Sequence, residues 1–322
     1  MNVGILGAGG IANLMAKTLN GMETAKAYAV AARDLHRAKD FAEKYGISQA
    51  YGSYEELYRD KNVDLIYIAT PISHHFDQMK AAILQGKNIL CEKAFTLNAA
   101  QAKEILALGK EKKVLVTEAI WTRYMPMRLT MDEVIAKGLI GEIKALSANL
   151  AYPVSKVERL GSLDLGGGSL LDIGVYPINF ALMHFGDKIK KIETTMVPYT
   201  SGVDAAGNVN LIYDDGKIAF LQFGMTFRSD RRGIVYGDKG YIESLNINNY
   251  AGIRVYDVND TLIASFETPP QVTGYEYEVE SCRKAIEAGT LECPEMPHRE
   301  IIRVMEIMDQ IRKIWGLEFP GE

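Results

Sequence analysis

Short apolar runs recur through the first third of the chain, at residues 3–6, 28–32, 65–69, 88–91 and 114–117. Runs this short, with little polar alternation, predict strands covered on both faces. Between them the apolar positions recur every three or four residues, which predicts helices over 11–19, 35–45, 54–59, 75–85 and 99–110. Ser53 followed by Glu56 has the spacing of a capping box, and Gly21, Gly46 and Gly86 stand where helices should stop. Strand–helix alternation of this kind implies parallel strands joined by right-handed crossovers, with helices on both faces.

The pattern changes after about residue 123. One long apolar helix is predicted over 169–185, followed by a run of strands with hairpin turns at Asp215-Gly216 and Lys239-Gly240. Helices near 277–288 and 299–314 close the chain. The expected organisation is α/β: a doubly wound N-terminal domain, residues 1–122, and a C-terminal α+β domain, residues 123–322, built on a mostly antiparallel open sheet. The last helix, about 297–316, is compatible with packing on either domain.

Composition narrows the function classes. The 322 residues carry 36 Lys plus Arg and 41 Asp plus Glu, a net charge of -5 with no basic run, so nucleic acid is not an expected partner. No apolar stretch approaches the roughly 20 residues that span a bilayer. Cys91, Cys282 and Cys293 share no metal-binding or framework spacing. A reducing, cytoplasmic setting is expected, with no membrane partner.

Gly7-Ala8-Gly9-Gly10-Ile11-Ala12 fits the GxGxxG/A fingerprint between a strand and a helix, the context of a Rossmann dinucleotide site. Gly7 would permit the tight turn, Gly9 the close approach of a pyrophosphate, and Gly10 and Ile11 open the helix whose N-terminus receives it. At the end of the second strand an NAD site places an acidic residue. Here Arg33 stands there with Arg37 one turn on, which favours a 2′-phosphate and hence NADP(H), NAD(H) being the alternative. Asp34 has two readings, ribose ligand or N-cap of the helix 35–45.

Lys93 follows the strand 88–91 at the carboxyl edge, where doubly wound sheets place ligands. In the helix after Gly166-Gly167-Gly168, Asp172 and Tyr176 lie four residues apart among Leu170, Leu171, Ile173, Val175, Ile178 and Phe180. A carboxylate and a phenol on one face of an apolar helix are either a buried hydrogen-bonded pair or a proton-transfer pair. Adjacent His74 and His75 diverge, and no carboxylate or cysteine cluster completes a metal site with them. His36, His184 and His298 are likewise not expected to be ligands.

Residues 31–39 (AARDLHRAK), 50–57 (AYGSYEEL), 118–123 (EAIWTR) and 166–176 (GGGSLLDIGVY) together resemble the glucose-fructose oxidoreductase/inositol dehydrogenase/rhizopine-catabolism family. Within it the chain looks most like the dimeric dihydrodiol dehydrogenase and D-xylose 1-dehydrogenase branch. The resemblance implies that Lys93 is the active-site lysine, Asp172 its partner carboxylate and Tyr176 the general acid/base. It also implies that Thr70, Pro71, His75 and Glu92 lie along the cofactor, with Trp121 and Arg123 near the cofactor and substrate pocket. For Trp121 a core aromatic remains the alternative. One departure stands out: the family has proline after the lysine, where it supports a cis bond, and this chain has Ala94.

These implications predict an NADP-dependent oxidoreductase that moves a hydride to or from a hydroxyl or carbonyl carbon of a sugar-like substrate or a trans-dihydrodiol. A non-catalytic NADP-binding sensor on the same fold is the other class. Residues 218–223 alternate so that apolar groups reach both sheet faces, which predicts self-association through the C-terminal sheet, as a dimer or alternatively a tetramer.

Overall fold

Aliphatic residues with no polar face can sit only in the middle of a layered sheet, and strands β1 (Asn2–Leu6), β4 (Leu65–Ile68) and β5 (Asn88–Glu92) do so. The computed structural model describes residues 1–320 and 322. Its first compact unit comprises residues 1–121 together with 271–305. In chain order it contains β1, α1 (Gly10–Asn20), β2 (Lys26–Ala31), α2 (Leu35–Tyr45), β3 (Gln49–Tyr51), α3 (Tyr54–Arg59), β4, α4 (His75–Leu84), β5, α5 (Ala99–Lys112) and β6 (Val116–Ala119). The six strands pair in parallel in the order β3-β2-β1-β4-β5-β6, the doubly wound arrangement with its reversal between β1 and β4.

Two local differences from the sequence pattern have simple causes. Strand β3 is three residues at the sheet edge, too short to show a period. Strand β6 begins at Val116 because Lys113 ends α5 in the left-handed conformation and Val114 N–H still bonds Gly109 O. The capping box forms as its spacing requires, with Ser53 and Glu56 each satisfying the other's backbone.

The second unit comprises residues 122–270 and 306–322. It holds α6 (Pro126–Ala136), β7 (Ile143–Ala151), a π turn over Leu170–Gly174, α7 (Val175–Phe185), β8 (Ile189–Pro198), β9 (Asp204–Tyr213), β10 (Ile218–Gly224), β11 (Gly233–Gly237), β12 (Gly240–Ser244), β13 (Gly252–Asp257) and β14 (Leu262–Glu267). The eight strands are ordered β14-β13-β12-β11-β7-β10-β9-β8, and only the β7–β10 pair is parallel. Along β10, Ala219, Leu221 and Phe223 are buried while Phe220 and Gln222 are exposed. The buried face takes the π turn and α7, with Gly174 against the Phe223 ring and Gly233 against Phe180.

The two compact units divide the chain differently at its C-terminal end from the expected 1–122 and 123–322. Residues 271–305, including α8 (Glu276–Ala288), cluster with the first unit. The last helix, α9 (His298–Trp315), is divided between the two units at Met305/Glu306. Among the attachments of 271–305, Thr273 Oγ1 pairs with Thr18 Oγ1 at 2.6 Å and His298 Nε2 meets Val116 O at 2.9 Å. Sequence periodicity describes elements but carries no record of which sheet a helix returns to.

Candidate active site

In the first unit the glycine loop turns where β1 gives way to α1. Gly7 has φ +105°, and a Cβ there would lie 3.0 Å from Ala69 O, so only glycine fits. At Gly9 and Gly10 a Cβ would meet nothing within 4 Å, leaving open space over the helix start. The first turn of α1 has no acidic residue and no side-chain cap, so its N–H groups and positive dipole end are uncompensated by the protein. A dinucleotide pyrophosphate fits that cradle.

At the end of β2 the ambiguity over Asp34 resolves. Its Oδ1 accepts from His36 N–H at 2.8 Å and caps α2. Arg33 and Arg37 are exposed on the same edge, and Arg37 Nη2 reaches Ala8 O of the glycine loop at 3.5 Å.

The loops after β4 and β5 are held together by His75. Its ring is fully buried, with Nε2 2.9 Å from Thr70 O and Nδ1 3.0 Å from Ala94 O. Burial lowers its pKa to about 4, so the ring is neutral at pH 7 and donates one N–H. His75 thus lies between the two loops, with one ring nitrogen facing a carbonyl of each. Thr70 turns its hydroxyl to Gln78 Oε1 at 2.6 Å, and Pro71 starts the short turn leading to α4.

The Lys93–Ala94 peptide is cis. Lys93 is half-buried at the carboxyl edge of β5. Glu92 is buried beneath it, accepting from the Tyr67 hydroxyl, with Lys93 N–H 3.3 Å from its second oxygen. Glu278, on α8, is buried too, and burial, then the proximity of Glu92, pushes its carboxyl well above the usual range. Trp121 is buried and stacks on Tyr275, ring centroids 4.2 Å apart and planes at 12°. Tyr67 reaches Glu92 from the neighbouring strand β4, whereas Glu278 carries no motif signal because its place near Glu92 depends on the return of 271–305.

In the second unit the segment after Gly168 departs from the regular helix that the sequence implies. Val175 N–H bonds Leu170 O, five residues back, so Leu170–Gly174 forms a π turn, a feature frequent at functional sites. Its start is capped from a distance: Asp204 Oδ2 accepts from Leu170 N–H at 2.6 Å and from Ser169 Oγ at 2.7 Å. Asp172 and Tyr176 are each 8% exposed. Asp172 Oδ1 accepts from Arg159 Nη1 at 2.9 Å, an arginine that the sequence pattern did not single out. Arg123 is buried, and its Nε donates to Asn179 Oδ1 at 2.5 Å. That bond anchors the residue to α7.

Known proteins match this arrangement along the whole chain. The family model for oxidoreductases with an NAD-binding Rossmann fold matches residues 1–120, and the GFO/IDH/MocA C-terminal domain matches 129–243. Mouse trans-1,2-dihydrobenzene-1,2-diol dehydrogenase is 33% identical over 335 residues, covering 99% of this chain and 98% of that one. The human protein of the same name is 32% identical over 307 residues, covering 91% and 90%. A 3-ketoreductase from Actinomadura kijaniata, solved with NADP and TDP-benzene, gives a TM-score of 0.86 at 25% identity, covering 97% of each chain. Aldose-aldose oxidoreductase from Caulobacter crescentus shares the fold, with a TM-score of 0.88 at 20% identity over 98% of each chain. The chain belongs to the GFO/IDH/MocA family of oxidoreductases.

Proposed function

We propose that this protein is an NADP-dependent dehydrogenase or reductase acting on the hydroxyl or carbonyl carbon of a polyhydroxylated substrate, a sugar or a trans-dihydrodiol. The observation that carries the reading is Tyr176 on the same short π/α7 segment as an arginine-paired Asp172. The nicotinamide, when bound, supplies the hydride acceptor or donor.

The residues divide the remaining work. Gly7, Gly9, Gly10 and Ile11 offer backbone and helix-terminal N–H groups to the pyrophosphate. Arg33 and Arg37 suit a 2′-phosphate, and Asp34 beside them is engaged as the cap of α2. Thr70, Pro71 and Glu92 line the loops at the same sheet edge, with His75 bracing them from within. In the oxidative direction Tyr176 takes the hydroxyl proton, and the Lys93 ammonium favours the phenolate form for that step. Asp172 orients Lys93 or accepts from the substrate. Trp121 and Arg123 lie near the cofactor and substrate pocket. The relatives' names, a dihydrodiol dehydrogenase and a ketoreductase solved with NADP, support the same chemistry and cofactor.

The partner we assign is a second copy of this chain, docked on the exposed face of the eight-stranded sheet, in a dimer or alternatively a tetramer. The three thiols are buried and unjoined, which suits a cytoplasmic setting.

The test is absorbance at 340 nm with NADP and NAD over a panel of aldopentoses, aldohexoses and trans-diols. Turnover with NADP above NAD is expected. Tyr176→Phe should lower kcat by about 10²–10⁴-fold, the range for losing a general acid/base, with NADPH affinity nearly unchanged. Tight NADPH binding with no turnover of any substrate would assign a sensor instead.

A further inference from the structure

The glycine triplet before Asp172 does more than start a helix. Gly167 N–H bonds Ser162 O and Gly168 N–H bonds Leu160 O, both at 2.8 Å. A Cβ on Gly167 would lie 2.6 Å from Arg159 O and Leu160 O, and 2.7 Å from Ser162 O. The triplet therefore presses the 159–162 backbone onto the start of the π turn. That contact delivers the Arg159 side chain to Asp172.

The pair is asymmetric. The Arg159 side chain is 42% exposed and the Asp172 side chain 11%, so a nearly buried carboxylate is held by a guanidinium that itself reaches solvent. A planar fork bonded to one carboxylate oxygen fixes the direction in which the carboxylate accepts further hydrogen bonds. Tyr176 lies one turn along the same segment.

We propose that Arg159 is a positioning residue, acting through Asp172 so that the carboxylate accepts from the hydroxyl adjacent to the one that Tyr176 serves. The inference rests on the reading of Tyr176 given above.

The experiment compares the intact protein with Arg159→Ala, Arg159→Lys, Asp172→Asn and the Arg159→Ala/Asp172→Asn double variant. The substrates are trans-cyclohexane-1,2-diol and cyclohexanol at saturating NADP. Arg159→Ala should raise KM for the diol by about tenfold or more, the scale of one hydrogen bond to a charged group. It should leave kcat within about threefold and cyclohexanol kcat/KM unchanged, on the same hydrogen-bond scale. Arg159→Lys should restore part of the loss. In the Asp172→Asn background, removing Arg159 should add nothing, because the group it acts through is gone.

Calorimetric binding of the diol to the NADP-loaded protein repeats the comparison without turnover. An unchanged diol KM, an equal loss on cyclohexanol, a lysine variant no better than alanine, multiplicative effects in the double variant, or no diol binding by the intact protein would each overturn the proposal. If the Arg159 pattern holds while Tyr176→Phe keeps full turnover, the Tyr176 reading fails and Arg159 stands.

Discussion

Asp204 is an acid that works as a cap from outside the segment it caps. Its Oδ2 takes the N–H of Leu170 and the hydroxyl of Ser169, and burial, opposed by these bonds, raises its pKa from 3.8 to about 6. Below pH 4 the carboxyl holds its proton folded or unfolded. Between about pH 4 and about 6 the folded form keeps a proton that the unfolded chain has lost, so stability falls as pH rises through that window. Asp204→Asn removes this dependence. Denaturant unfolding should show the stability of the native protein falling against Asp204→Asn by on the order of 3 kcal/mol from pH 4 to pH 7. Equal slopes for the two proteins would refute the buried, proton-holding carboxyl. Asp34 shows the opposite case. Its cap lies two residues away in sequence, so the sequence already contained that reading as one of two.

At the scale of elements, the π turn and the glycine triplet form one construction. The sequence places Asp172 and Tyr176 on one segment, but a regular helix was the wrong ruler for it, because Val175 bonds five residues back. Gly167 cannot be replaced without moving the 159–162 backbone, whose oxygens stand 2.6–2.7 Å from the added carbon. Gly167→Ala should cost about 1–3 kcal/mol, the usual range for overpacking a tight contact, and should raise the KM of a vicinal diol as Arg159→Ala does. Unfolding curves and steady-state kinetics on the same preparation check both. A stable variant with unchanged KM would separate the triplet from the Arg159–Asp172 pair. In the first unit, Ser53 and Glu56 needed nothing beyond their spacing to form a capping box, whereas His75 is a brace only because two loops converge on it.

For the whole molecule, the sheet of the second unit leaves one face open. Phe220 is 47% exposed on it, and Tyr236, Tyr241 and Tyr256 form a row with successive ring centroids 6.3 and 4.8 Å apart. Ser147, Asn149, Asn208, Asn210 and Gln222 lie beside Phe220 around one shallow hollow, a mixture suited to a second copy of the same surface. Phe220→Asp should lower the mass measured by light scattering to that of one chain, with the melting curve of the separated protein still cooperative. An unchanged assembly would place the contact elsewhere. The sequence by itself determined the strand–helix alternation, the glycine loop, the arginines after β2 and the segment bearing Asp172 and Tyr176. Each is written in neighbouring residues whose spacing matches a local hydrogen-bond or packing period. Only the tertiary structure decided that 271–305 returns to the first unit, that Glu278 is buried near Glu92, that Asp204 caps the π turn and that Arg159 holds Asp172. Those pairings join residues distant in the chain or in irregular loops, and the energy that selects them is burial and hydrogen bonding at a distance, which leaves no period in the sequence.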